Sequence, residues 1–175
     1  IFTSKIKPDL ILVSGTKLVG ARLLQLKPKN GILNLHTGIS PYVKGGPNCT
    51  NWCIATNNFH LIGNTIMWLD EGIDTGDILT TEQTKFDNHD NNLYKIHLRV
   101  MNHAHILYLN SIHCIQKNQI QKIPQDTIGK GRTFYNKQWG LKQNYLLNKN
   151  LKNMIDSVKN GNNLNKKIQL ISLQK

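Results

Sequence analysis

A five-residue run, Ile32–His36, constrains this chain more than any other feature of its sequence. The run is mostly apolar and follows Gly31, which predicts a buried β-strand. Side chains two positions apart on a strand point to the same face, so Asn34 and His36 project together. An amide and an imidazole held side by side at a strand end can polarise a carbonyl group and manage a proton. Asp74 follows in a Gly-rich turn and supplies a carboxylate that can complete the set.

Apolar runs and helical periodicity predict alternating strands and helices along the rest of the chain. Beside 32–36, strands are predicted at residues 10–13, 65–69 and 78–86, and an extended segment or closing strand at 119–124. Helices are predicted at residues 17–26, 50–57 (capped by Thr50), 91–117 and 141–158. This order indicates an α/β sheet with strands of mixed direction.

The order of several short motifs resembles the folate-dependent formyltransferases. That family pairs Asn-x-His with a Pro five residues after the His, which Pro41 supplies, and carries a downstream Asp-Thr-Gly turn, matched at residues 74–76. A Gly-rich bend at 45–46, the segment 52–55 and the Gly-x-Thr at 63–65 follow in the family's order. The resemblance spans residues 8–86, and its strength lies in the ordered set, because Asn-x-His alone is a weak signal.

Two departures from the family pattern separate this chain from the best-known members. Gly38-Ile39-Ser40 stands where many members have Ser-Leu-Leu, and Lys44 replaces the more usual Arg. Neither departure touches the three proposed catalytic side chains.

The resemblance implies a Rossmann-like, mostly parallel sheet flanked by helices, which is the formyltransferase fold. The chain begins at Ile1, directly before the predicted strand at 10–13, so we expect it to be N-terminally truncated and to lack the family's first strands. We assign residues 1–140 to the C-terminal portion of the catalytic domain and residues 141–175 to a helical, polar tail whose end, from 160, is loosely attached.

The resemblance also implies a reaction, the transfer of a formyl group from 10-formyltetrahydrofolate to a primary amine. Asn34 and His36 would donate to the oxygen on which negative charge develops, and Asp74 would orient His36 and accept the amine's proton. Backbone groups of two loops would bind the folate. These loops contain Ser14, Gly15, Thr16, Lys17, Leu18 and Val19, and Leu69, Asp70, Glu71, Gly72 and Ile73.

The composition bounds the partners of this chain. Its net charge is +12, but Lys, Asn and Ile are enriched throughout, without an Arg-rich stripe, so we expect anionic small ligands rather than nucleic acid. The 3 Cys residues form no disulfide framework and no zinc pattern, so we expect structural thiols and no bound metal. Without an apolar run long enough to cross a bilayer or a visible secretory signal, we expect a cytoplasmic location and no membrane contact.

The acceptor amine stays open at this point. A small-molecule amine, such as a nucleotide-linked amino sugar, is favoured; methionyl-tRNA and glycinamide ribonucleotide are the alternatives. The 35 residues after Gly140 leave no room for the β-barrel domain that methionyl-tRNA formyltransferase carries. A folate hydrolase with the same three residues, or a non-catalytic folate- or RNA-binding fragment, also stays open, as does the oligomeric state.

Overall fold

Strands and helices alternate along most of the chain. The computed structural model describes residues 6–16, 19–164 and 166–174. The strands are β1 (Ile11–Ser14), β2 (Ile32–His36), β3 (Val43–Gly45), β4 (Gly63–Trp68), β5 (Ile78–Gln83) and β6 (Arg132–Phe134). The α-helices are α1 (Ala21–Leu24), α2 (Cys49–Ala55), α3 (Leu93–Gln116) and α4 (Leu141–Lys159). Of the helices described, none is both long and apolar enough to cross a membrane.

A four-stranded sheet in the order β1-β2-β4-β5 forms the centre of the molecule. β1 and β2 are parallel, whereas β4 is antiparallel to both β2 and β5. The α/β fold is therefore confirmed, with a mixed sheet: in its described part, the expected majority of parallel pairings is replaced by one parallel and two antiparallel ones. A separate parallel pair joins β3 to β6.

The register of the sheet places Asn34 and His36 at its centre. β2 lies between β1 and β4, with Asn34 opposite Val13 on one side and Met67 on the other. His36, the last residue of β2, lies opposite Thr65. Both side chains are thus held by a strand that is hydrogen-bonded on each edge, at its carboxyl end.

Two apolar clusters pack the helices against the four-stranded sheet and the β3–β6 pair. On one face of the sheet, α3 buries Ala104 and Leu107 against Leu35 and Ile66. The second cluster joins α2 and α4 to the β3–β6 pair, and its residues include Trp52, Cys53, Val100, Phe134, Leu147 and Met154. Within it, the rings of Trp52 and Phe134 stack with centroids 4.3 Å apart. The helix after residue 140 therefore packs into the protein, while the domain boundary predicted there stays a prediction.

Several element predictions need correction. α2 is capped by Asn48, whose side chain accepts a hydrogen bond from the Asn51 N–H at 3.0 Å, and not by Thr50, which is buried inside the helix. Asn48 comes directly before the helix, where Asn is a preferred cap. The predicted strand at 119–124 contributes one bridge, between Ile123 and Ile78.

The end of the chain lies along β5 instead of being loosely attached. The Thr81 N–H donates to the Ile171 carbonyl at 2.8 Å, and the Ile171 N–H donates to Thr81 Oγ1 at the same distance. The Gln121 amide also donates to the Ser172 carbonyl at 2.7 Å. The apolar residues near position 170 therefore belong to a segment that covers the outer edge of β5.

Tyr108 fastens α3 to the two parallel strands. Its hydroxyl donates to the Leu33 carbonyl at 2.7 Å and accepts the Val13 N–H at 3.0 Å. Burial of the ring raises the pKa of Tyr108 to about 12, so the hydroxyl keeps its proton at all ordinary pH values.

Replacing Tyr108→Phe should therefore destabilise the protein, because the buried Val13 N–H loses its acceptor. An unsatisfied buried donor costs about 1–3 kcal/mol, and this loss should appear as a lower urea midpoint in equilibrium unfolding. Tyr145→Phe is the matched control, since Tyr145 is 65% exposed. Equal midpoints for the two variants would contradict the fastening role.

Candidate active site

Asp74 meets His36 at the end of β2. One carboxylate oxygen of Asp74, Oδ2, lies 3.3 Å from His36 Nδ1, in an enclosed setting where the two side chains are 16% and 8% exposed. Oδ2 also accepts the Gly45 N–H at 2.8 Å. The structure thus brings together two of the predicted residues from segments that lie far apart in the sequence.

The turn that carries Asp74 is built by its own side chains. Asp70 accepts hydrogen bonds from the Gly72 N–H at 3.0 Å and from the Thr75 hydroxyl at 2.8 Å. Asp74 itself adopts a left-handed backbone conformation with φ of +52°, which Asp tolerates better than most residues. The Asp-Thr-Gly sequence therefore shapes the turn as well as supplying the carboxylate.

The other ring nitrogen of His36 faces the backbone of β3. Nε2 lies 3.1 Å from the Val43 carbonyl oxygen, while Nδ1 faces a carboxylate. Both partners only accept hydrogen bonds, so only the doubly protonated ring donates to both of them. The site therefore suits a His36 imidazolium paired with an Asp74 carboxylate.

Gly38 makes this position of the His36 ring possible. A Cβ at residue 38 would lie 2.6 Å from His36 Nε2 and 3.0 Å from the Val43 carbonyl oxygen. Any larger residue would have to move the ring or the loop. The Gly at this position, a departure from the family pattern, thus has a physical role here.

Thr65 holds the loop that follows His36. Its hydroxyl donates to the Gly38 carbonyl at 2.6 Å and accepts the Ser40 N–H at 2.9 Å, in a fully buried setting. Since Thr65 lies opposite His36 in the sheet, the same strand that pairs with His36 also fixes the turn after it.

The predicted residues line one cleft of about 590 Å³. It contains Asn34, His36 and Asp74 together with nine residues of the two predicted folate loops: Ser14, Gly15, Thr16, Val19, Leu69, Asp70, Glu71, Gly72 and Ile73. Lys17 and Leu18, the other two predicted loop residues, lie outside the described part of the chain. The Asn34 side chain makes no hydrogen bond to a described residue, so its amide is available to a ligand.

Sequence reasoning missed two parts of this site. The cleft is also lined by Gly46 and Pro47 after β3 and by residues 134–136 at the end of β6. The second part that was missed is Gln125. Its side-chain amide donates at 2.8 Å to the carbonyls of both Asp74 and Gly76 and so holds the turn that carries Asp74. The aromatic segment at 133–135 was a signal for the first part, whereas a single Gln carries no recognisable signal.

Cys49 is the third polar neighbour of His36. Its sulfur lies 3.7 Å from His36 Nε2, and its thiol donates to the Gly45 carbonyl at 3.4 Å. Burial and then the negative charge of Asp74 raise the pKa of Cys49 to about 12. The thiol therefore stays protonated and serves packing rather than nucleophilic attack. Among the described residues, no group of three or more His, Cys, Asp or Glu side chains could hold a metal ion.

A second hollow, of about 650 Å³, lies between the end of β5 and α3. It contains Glu82 and His103, which are joined by a 2.9 Å contact between Oε2 and Nε2. The hydrogen bond from His103 lowers the pKa of Glu82. The hollow contains none of the residues predicted for the active site, so the 590 Å³ cleft is the better candidate despite its smaller volume.

Comparison with known proteins identifies the family. The model of the formyl transferase family matches residues 3–112, and the chain belongs to this family. Methionyl-tRNA formyltransferase of Syntrophus aciditrophicus is 32% identical over 122 residues, 70% of this chain and 38% of the relative. The Clostridium botulinum enzyme of the same name is 31% identical over 133 residues, 76% of this chain and 41% of the relative. The chain thus spans about two fifths of the length of these relatives.

Solved structures show the same fold. The formyltransferase PseJ from Anoxybacillus kamchatkensis, solved with UDP-4,6-dideoxy-4-formamido-L-AltNAc and tetrahydrofolate, matches with a TM-score of 0.64 and 24% identity over 79% of this chain and 68% of that one. A 4-N formyltransferase from Francisella tularensis matches with a TM-score of 0.63 and 21% identity over 83% of this chain and 63% of that one. These matches confirm the formyltransferase fold.

Removing the Gln125 clamp should loosen the Asp74 turn. In Gln125→Ala the carbonyls of Asp74 and Gly76 lose their hydrogen-bond donor. The Gly45 N–H donates to the Asp74 carboxylate, so a looser turn should weaken that bond. We expect the Gly45 amide proton to exchange with solvent at least tenfold faster, measured by hydrogen-exchange NMR. The matched control is Gln83→Ala. The Gln83 side-chain amide donates to the His60 carbonyl, which is not part of the Asp74 turn. Unchanged protection of Gly45 would show that the turn does not depend on Gln125.

The reactivity of the three thiols tests the burial of Cys49. With a pKa near 12, only about one Cys49 thiol in ten thousand is ionised at pH 8, and Cys53 is buried as well. We expect a thiol reagent at pH 8 to modify only the half-buried Cys114 in the folded protein and all three thiols in guanidinium. Because the unfolded thiol titrates near pH 9.0, unfolding free energy should also fall as pH rises above that value. Rapid native modification of Cys49, read by mass spectrometry, would contradict this picture.

Proposed function

We propose that this chain carries the active site of an enzyme that transfers a formyl group from 10-formyltetrahydrofolate to the primary amine of a small acceptor, such as a nucleotide-linked amino sugar. The observation that carries the proposal is the His36–Asp74 contact of 3.3 Å in the cleft that Asn34 lines. Family membership supports the reaction class, and the tetrahydrofolate named with PseJ supports the donor.

The residues of the cleft fit a folate donor. The loops at 14–16 and 69–73 line the same cleft as the Asn34 amide, which has no hydrogen-bond partner among the described residues. The cleft's 590 Å³ falls within the range of small-molecule sites. When bound, 10-formyltetrahydrofolate supplies a formyl carbonyl whose carbon the acceptor amine attacks.

Asn34 and His36 would stabilise the charge that develops on the formyl oxygen. The Asn34 amide is a neutral donor and the His36 imidazolium a charged one, and both belong to the same rigid strand. The Asn34 amide makes no hydrogen bond to a described residue, so it needs little reorganisation as the charge appears, and such a fixed donor is more effective than water. To donate to this oxygen, His36 Nε2 has to exchange its contact with the Val43 carbonyl.

Asp74 would hold the imidazolium and take the amine's proton. Its Oδ2 is occupied by His36 and the Gly45 N–H, whereas Oδ1 makes no hydrogen bond to a described residue. Since the doubly protonated His36 has no lone pair to offer, Oδ1, directly or through water, is the base that the geometry leaves free. Formation of the new C–N bond is balanced by cleavage of the bond between the formyl carbon and the folate nitrogen, and the proton taken from the amine passes from Asp74, directly or through water, to that leaving nitrogen.

Methionyl-tRNA is the second candidate acceptor. The sequence relatives that cover most of this chain carry the name methionyl-tRNA formyltransferase, which favours it. A net charge of +12 is compatible with either a tRNA or a phosphorylated small molecule. Glycinamide ribonucleotide stays a further acceptor to test, and donor hydrolysis without an acceptor is the remaining alternative reaction.

The test is tetrahydrofolate release from 10-formyltetrahydrofolate with each amine and with none. We expect release with one amine only. His36→Ala and Asp74→Asn should slow that release by a factor of about a hundred or more, because each removes a group that acts in the transition state. Folate binding, measured by fluorescence, should persist in both variants.

The control is His113→Gln, which changes an exposed histidine on α3 away from the cleft. Release at the wild-type rate in His36→Ala or Asp74→Asn would remove that residue from the mechanism. Release without any amine would identify a hydrolase, and folded protein that releases nothing with the whole panel would contradict the proposed reaction.

A further inference from the structure

We propose that the outer face of α3 is a dimer interface, in which two copies of this chain pack antiparallel around a two-fold axis at Asn102. The α3 face is formed by Lys95, Leu98, Asn102, Ile106 and Leu109. The proposal is independent of the proposed reaction, because the active-site cleft meets α3 at Met101, on another side of the helix. Pairing through the α3 face therefore leaves the cleft open.

Large apolar side chains are exposed on α3 more often than on any other element in the described part of the chain. Of the ten that are exposed there, four lie on this helix, and three belong to the α3 face: Leu98 at 46%, Ile106 at 59% and Leu109 at 58%. Spacings of eight and eleven residues place these three on one side of a helix with 3.6 residues per turn. A contiguous exposed apolar surface of this kind marks an interaction site.

The 650 Å³ hollow between α3 and the end of β5 runs beside these side chains. It follows the helix from Lys95 to Ile106, and Leu98 and Ile106 form part of its wall. Eleven residues of helix rise about 16 Å, so the hollow extends over three helical turns. A hollow of this length beside a helix can receive the side chains of a second helix, as ridges fit into grooves in helix packing. Its middle lies within one turn of Asn102.

The sequence of α3 is self-complementary about Asn102. Leu98 lies four residues before Asn102 and Ile106 four residues after it, so an antiparallel second copy places each Leu98 against the other Ile106. Lys95 and Leu109 lie seven residues before and after Asn102. The methylene chain of Lys95 therefore covers Leu109 of the second copy, while its ammonium group stays in water.

Asn102 fixes the register of the pair. Its side chain makes no hydrogen bond to a residue that the structure describes. On the two-fold axis it meets the same side chain of the second copy, and each amide can donate to the oxygen of the other. A single Asn at the centre of an apolar helix–helix contact sets register and partner number in the same way in coiled coils.

Balanced charge distinguishes this face from the rest of the surface. The chain has a net charge of +12, which makes two copies repel one another over most of their surface. At the hollow, acidic and basic side chains are equal in number: Glu82, Asp87 and Asp90, and Lys85, Lys95 and Arg99. The antiparallel arrangement also keeps the two copies of Lys95 about 21 Å apart along the helix axes, well beyond a screening length of about 8 Å.

The exposed side of α4 does not suit a second copy. It carries Lys142, Lys149, Lys152 and Lys159, against a single exposed carboxylate at Asp156. Two such surfaces repel one another, because like charges would face each other without compensation. Self-association therefore favours α3 over α4.

Sedimentation equilibrium of the whole protein at a series of concentrations tests the interface. We expect a reversible dimer with twice the 19.9 kDa mass of the chain. Leu98→Lys and Ile106→Asp should each raise the dimer Kd at least tenfold, because each places a charge against an apolar side chain of the second copy. Leu141→Asp is the matched control, since Leu141 is 90% exposed on α4, and this variant should dimerise like the wild type. Circular dichroism should show the same fold in all four proteins.

An equimolar mixture of the Leu98→Lys and Ile106→Asp proteins tests the register. In an antiparallel pair the introduced ammonium lies against the introduced carboxylate, and the unchanged Leu98 and Ile106 still meet. The mixture should therefore dimerise at least tenfold more tightly than either variant alone.

Three results with the wild-type protein and the single variants would overturn the interface: a monomeric wild type at every concentration, an assembly larger than two copies, or equal dimer Kd values in the wild type and both variants. A mixture that associates no more tightly than its separate components would overturn the antiparallel contact about Asn102.

Discussion

The contact between Asp74 and His36 is the interaction on which the site depends, and three separate parts of the chain hold it in place. β2 carries His36, the Gly45 N–H of β3 fixes the Asp74 carboxylate, and Gln125 fixes the Asp74 backbone. A buried ion pair is not in itself stabilising, because removing two charges from water costs about as much as their attraction returns. The surrounding hydrogen bonds offset the cost of burying the two charges. The fold therefore stabilises the pair more than the pair stabilises the fold.

Close backbone approaches explain why glycine stands at two positions of the site. At Gly45, with φ of +88°, a Cβ would lie 2.0 Å from the Phe134 carbonyl oxygen, so only glycine lets β3 reach β6 and offer its N–H to Asp74. At Gly38 the missing side chain makes room for the His36 ring. Together the two glycines let β3 contact the Asp74 carboxylate, the His36 ring and β6 at the same time.

The secondary structure and the turns could largely be predicted from the sequence, because they follow from hydrophobic periodicity and from the residues that favour turns. The strand Ile32–His36 and the long helix Leu93–Gln116 emerged from their apolar patterns, and the Asn-x-His and Asp-Thr-Gly motifs identified the family. The order of the elements predicted strands of mixed direction, but not which pairs are antiparallel, since an apolar run looks the same in parallel and antiparallel sheets. The role of Gln125 was not predicted for a related reason. Its partners are backbone carbonyls about 50 positions earlier in the chain, and every residue has a backbone carbonyl, so no residue type indicates such a contact.

The match to the family model ends at residue 112, yet the cleft depends on residues beyond it. Gln125 secures the turn of a predicted catalytic residue, and residues 134–136 form a wall of the cleft. Their segment is held by packing, since Phe134 stacks on Trp52 of α2 and the helix α4 covers the same cluster. The proposed catalytic residues thus come from the matched region, whereas part of the cleft surface next to them comes from outside it. Within the region beyond residue 112, changes at the exposed Tyr135 and Asn136 would therefore alter the wall alone, whereas loss of Gln125 would release the turn that holds Asp74 beside His36.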